Sequence, residues 1–104
     1  MQTLVNTQFR FTGFQPTDHL RAFVNSQLEA VVEKGPSDAA PSARLMKTNN
    51  GYVASISLAT GTGIFMASTV GQDPARAVRA IAIKIGRQLL DWRKTRFDGV
   101  SELP

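Results

Sequence analysis

The chain has 104 residues, of which 42% are hydrophobic, no cysteine, and a formal net charge of +4 with a pI near 10.1. Residues 1–104 are therefore expected to form a single domain with a core that needs no staples, and the missing cysteines exclude a disulfide framework and thiolate chemistry. No apolar run reaches the length of a membrane span and Met1-Gln2-Thr3-Leu4-Val5 has no signal-peptide pattern, so a soluble cytoplasmic protein is the expectation.

Residues 3–13 alternate as a strand, with Val5, Thr7, Phe9 and Phe11 on one face. Gly13 and Pro16 end it. Thr17 or Asp18 then caps a helix to about Glu33, whose apolar side is Leu20, Phe23, Val24, Leu28 and Val31. Gly35-Pro36 stops the helix, and 35–41 reads as a loop. Ala43 to Thr48 and Tyr52 to Ala59 are strand-like and joined at Asn50-Gly51, a pair that favours positive φ in a tight turn. Thr60-Gly61-Thr62-Gly63 leads into a further strand, Ile64 to Val70. That Gly-Thr-Gly lacks the lysine and following helix of a phosphate loop and reads as a hairpin turn.

Asp73-Pro74 opens the last element, a helix over 74–96, with an N-cap carboxylate and a proline at the first helical position. This segment holds seven bases, Arg76, Arg79, Lys84, Arg87, Arg93, Lys94 and Arg96, against Asp91 alone, which makes it +6. The remainder has five bases and seven acids, −2, so the net charge is a local property. At about 100° per residue, Val78, Ile81, Ile85, Leu89 and Trp92 fall within roughly 80° of one another. Arg76, Arg87 and Lys94 lie about 180° from that seam, flanked by Arg79 and Lys84. Arg93 and Arg96 sit nearer the seam, where long stems reach back to water. Solvated faces usually mix signs, and a one-sign face is the electrostatic footprint of a polyanion partner.

The order β-α-β-β-β-α defines a two-layer α+β fold: a four-stranded, mostly antiparallel sheet with one parallel pair and both helices on one face. Its core is expected from Phe9, Phe11, Leu20, Phe23, Leu28, Ile56, Leu58, Phe65, Ile81, Ile85, Leu89 and Trp92. The one histidine, His19, has no neighbouring ligand for a metal, and no nucleophile–base arrangement assembles locally. The expectation is a non-enzyme without metal or cofactor.

Several segments resemble the ribosome hibernation-promoting and ribosome-associated inhibitor family, also named for sigma-factor modulation. They are Leu20-Arg21-Ala22-Phe23-Val24, Ala67-Ser68 before Gly71-Gln72-Asp73, and Lys84-Ile85-Gly86-Arg87-Gln88-Leu89, which echoes the family's Asp-Lys-Leu-x-Arg-Gln-Leu. The resemblance spans nearly the whole chain and rests on order and spacing. It implies a stress-response factor that lodges in the decoding region of the small ribosomal subunit, excludes messenger and transfer RNA, and so silences translation. By resemblance, Lys84, Arg87 and Lys94 match the family's RNA-facing positions; together with Arg76, Arg79 and Arg93 they make up the expected RNA-binding set. The chain departs from the family at Asp73-Pro74-Ala75, where the family has Asp-Met-Tyr, and at Arg79, where an acid is common.

A second surface competes with this reading. Aligned on the family, Ile64, Met66, Ser68 and Val70 face outward from the sheet, joined by Val53, where a one-layer sheet normally carries polar residues. Either these form a partner or weak homodimer face, or a register slip of one residue swaps the faces. Ile83 and Leu90 project from the basic side of the last helix as exposed scatter or as anchors in a contact. The alternative function is thus a non-catalytic interaction or homodimerisation module that has lost ribosome binding.

Overall fold

Six elements follow in the expected order in the computed structural model, which describes residues 9–102 and side chains to residue 95. They are β1 (Phe9–Thr12), α1 (Asp18–Glu33), β2 (Ala40–Thr48), β3 (Gly51–Thr60), β4 (Gly63–Gly71) and α2 (Pro74–Glu102). The sheet order is β1-β2-β3-β4, with β1 parallel to β2 and the other pairs antiparallel. The sheet is therefore mixed, with the single parallel pair that the α1 crossover demands. The N-terminal part of the expected first strand, with Val5 and Thr7, and the side chain of Arg96 lie outside the described residues.

Inward positions alternate along the strands as the period of two requires: Phe9, Ala43, Leu45, Ala54, Ile56 and Leu58 are buried. Val24, Leu28 and Val31 of α1 and Val78, Ile81, Ile85 and Leu89 of α2 complete this cluster from above. Burying each such aliphatic chain contributes roughly 1.5–3 kcal/mol. Phe11, Leu20, Phe23 and Phe65 are partly buried and pack against the cluster from its border. Trp92 meets Phe65 edge to face at 6.2 Å and stands at the border of the core, not inside it. The expected core omitted Leu45 and Ala54, which the pairing places in the middle of the sheet.

The helix starts follow their sequence signals. Thr17, not Asp18, is the cap of α1, its Oγ1 accepting the Leu20 N–H at 3.0 Å. Asp73 Oδ2 accepts the Arg76 N–H at 3.0 Å, with Pro74 as the first residue of α2. Three boundaries differ from expectation. Strand β2 begins at Ala40, so Pro41 is its second residue, ahead of the described pairing with β1 that starts at Phe9↔Ala43. The turn into β3 is Asn49–Asn50, one residue earlier than expected. Neither asparagine has positive φ; Gly51 does, at 147°, and a Cβ there would meet the Gly71 carbonyl oxygen at 2.5 Å. Lastly, α2 continues past residue 96 to Glu102, since Gly99 costs helix stability, about 1 kcal/mol, without forcing a stop.

Candidate nucleic-acid interface

The seam of α2 turns its opposite side to water, and all six candidate cations are exposed: Arg76, Arg79, Lys84, Arg87, Arg93 and Lys94. They do not form one uniform face. Arg76, Arg87 and Lys94 run along the crest opposite the seam, about 16 and 11 Å apart from the axial rise. Arg79, Arg87 and Arg93 line the groove between α2 and α1, where Lys34 joins them from α1. Lys84 lies on the other flank, its ammonium donating to the Ser68 carbonyl at 3.2 Å on the edge strand β4.

Two groove cations are held in place by their neighbours. The Arg79 guanidinium stands over the Phe23 ring of α1, 5.6 Å from its centroid, an arrangement in which the ring face attracts the cation. Arg93 donates to the Lys34 carbonyl at 3.3 Å. The last turn of α1 has no base of its own, so Arg93 brings a positive charge to the negative end of that helix.

The groove itself encloses about 480 Å³. Its floor and walls are apolar, from Ala30 and Val31 of α1 and Ala82, Ile83, Gly86, Leu89 and Leu90 of α2. Among the described residues, every polar side chain lining it apart from Gln27 is a cation, and no carboxylate does so. Ile83 and Leu90, 55% and 56% exposed, are thus the walls of a groove flanked by bases and not scattered surface residues. Sequence periodicity located the charges on α2 but carried no signal for Lys34 or Gln27, whose role depends on how the two helices pack.

A second basic group lies at the β1 side of the molecule. Arg10 and Arg44 are register partners in the parallel pair, and the Arg21 guanidinium stands 5.4 Å from the Phe11 centroid. These three line a common depression of about 450 Å³ with Phe14 and Gln15. The bases outside α2, sparse along the sequence, are therefore partly gathered by the fold.

The outer sheet face has the strand register expected from the alignment, with no slip. Ile64, Met66 and Val70 are 65%, 61% and 71% exposed, and Val53, the register partner of Val70, is half-buried beside them. Helix side chains reach single groups on both sheet edges: Asn25 Oδ1 accepts the Phe9 N–H at 2.9 Å, while Lys84 and Gln88 donate to Ser68 and Met66 carbonyls. Among the described residues, no group of three side chains able to hold a metal is brought together, and His19 is exposed on α1.

No family model matches the chain, and no curated protein does. Solved structures do match. The N-terminal domain of Thermus thermophilus Protein Y superposes with a TM-score of 0.70 at 15% identity, covering 84% of this chain and 98% of that one. A ribosomal subunit interface protein from Coxiella burnetii gives 0.67 at 12% identity, covering 83% of this chain and 97% of that one. At such identities the likeness is one of fold, and it is the fold that the sequence resemblance implied.

Proposed function

We propose that this protein is a ribosome-binding, translation-silencing factor that contacts small-subunit ribosomal RNA through α2. The observation that carries the reading is the basic crest and groove, Arg76, Arg79, Arg87, Arg93 and Lys94 with Lys34, on a fold shared with a ribosomal subunit interface protein. Cations carried on the crest and in the groove of one helix neutralise closely spaced phosphates and release their counterions. Ribosomal RNA is recognised by shape and backbone charge more than by paired base edges, which suits a face rich in arginine and poor in acids. In this reading Lys84 stands at the margin of the contact, since its ammonium already serves the β4 edge. The protein acts by occupying a site and performs no chemistry.

Fractionating a stationary-phase extract on a sucrose gradient tests the reading. Co-migration with small subunits or whole ribosomes is expected; recovery only at the top of the gradient at low salt would contradict it. A second reading, a weak homodimer through the outer sheet face, is favoured by the exposure of Ile64, Met66 and Val70. The two are compatible, because α2 and the outer sheet face lie on opposite sides of the sheet.

A further inference from the structure

Gly86 occupies the interior of α2, where glycine is about 1 kcal/mol less favourable than alanine. Its backbone does not require glycine, since positive φ among the described residues is confined to Gly13, Gly51 and Gly63. Packing does not require it either: a Cβ built at Gly86 meets no heavy atom within 4 Å. The space it leaves open belongs to the α1–α2 groove, between the exposed walls Ile83 and Leu90 and beneath Arg79, Arg87, Arg93 and Lys34.

We infer that this groove receives an unpaired nucleobase of the RNA partner, seated over Gly86 with its flanking phosphates on the rim cations. The inference rests on the RNA-binding reading above and adds to it a seat for a base. The groove's volume of about 480 Å³ lies within the ~300–1,000 Å³ range of small-molecule sites. Charge complementarity selects the occupant: among the described residues no lining carboxylate opposes an anion, while the floor favours a group with apolar faces over a fully polar one. A nucleotide unites both properties. A duplex would present phosphates to the rim and leave the floor empty, whereas unpaired bases splay out and stack on guanidinium planes. Arg79, held on Phe23, and Arg93, held on the Lys34 carbonyl, supply such planes with little further ordering on binding.

Gly86→Leu fills the seat without removing a charge, and Gly86→Ala narrows it with a single methyl group. The probes are a labelled single-stranded oligoadenylate and a blunt RNA duplex of equal phosphate count, measured by fluorescence anisotropy. The parent is expected to prefer the single strand. The leucine variant should lose about two- to thirtyfold in affinity for it, the range of one guanidinium–ring contact, with duplex affinity and salt slope unchanged. The alanine variant should lose less in the same direction, with helix content intact by circular dichroism. If the parent binds both RNAs and the leucine variant matches it on the single strand, the groove belongs to another occupant and the inference falls alone. If the parent binds neither RNA at low salt, the RNA-binding reading fails and takes the inference with it.

Discussion

Gly86 and Arg87 are neighbours whose replacements report on different properties. Gly86→Ala should raise stability, because the helix gains propensity and the methyl group meets open space. A gain of about 0.5–1 kcal/mol corresponds to a rise in Tm of roughly 2–8 °C, read by thermal circular dichroism. An unchanged or lowered Tm would mean that the space above Gly86 is occupied in the folded protein. Arg87→Ala removes a crest charge from a side chain that points away from the core, so stability should hold while RNA affinity falls. Lys84→Ala mixes both effects, because its ammonium also ties α2 to the Ser68 carbonyl. A bond of this kind is worth roughly 0.5–1.5 kcal/mol, so a drop in Tm of about 2–12 °C should accompany the variant. The helical wheel sets Lys84 as a flank of the basic face. A wheel gives an angle but not what lies beside it, and β4 is what lies beside Lys84.

The elements were legible where local chemistry is strong and less so where a neighbour decides. Thr17 and Asp73 caps, Pro74 and the apolar seam of α2 all stand at their expected positions. The turn at Asn49–Asn50 was misread by one residue, because Asn-Gly is a tight-turn signal in isolation. Here Gly51 is required instead by the approach of the Gly71 carbonyl from the next strand. Alternation in β4 was too weak to choose its register, and pairing with β3 made the choice: Phe65, Ala67 and Thr69 inward, Ile64, Met66 and Val70 outward. Asn25, Lys84 and Gln88 engage only single groups on the sheet edges, whereas the exposed outward side chains of β4 offer a face-to-face contact. Burying the three outward side chains between two copies removes ~300 Å² of apolar surface, about 7 kcal/mol against association costs of ~4–15 kcal/mol. Such a dimer is weak. Met66→Lys should abolish it by burying an unpaired charge while leaving RNA affinity unchanged. Sedimentation of the parent as a monomer at high micromolar concentration would rule out the homodimer.

At the scale of the whole molecule the charge distribution, legible in the sequence as +6 on one segment, is refined by the fold. Lys34 joins the basic groove from α1, and Arg10, Arg21 and Arg44 gather on the β1 side, none of which follows from spacing along the chain. Electrostatic attraction of this kind weakens as ionic strength rises. Affinity for ribosomes should therefore fall steeply with salt, and each crest cation removed should flatten the log–log slope by a little under about one unit. The most direct test is sedimentation of purified protein with small ribosomal subunits across a potassium chloride series, comparing the parent with an Arg76→Ala, Arg87→Ala, Lys94→Ala triple variant. These three positions lie opposite the buried seam, so the variant should keep the parent's melting curve. The parent should pellet with the subunits at low salt and be released as salt rises, while the triple variant should stay in the supernatant. A folded triple variant that pellets with the subunits as fully as the parent, with the same salt dependence, would contradict the assignment of α2 as the RNA-binding face.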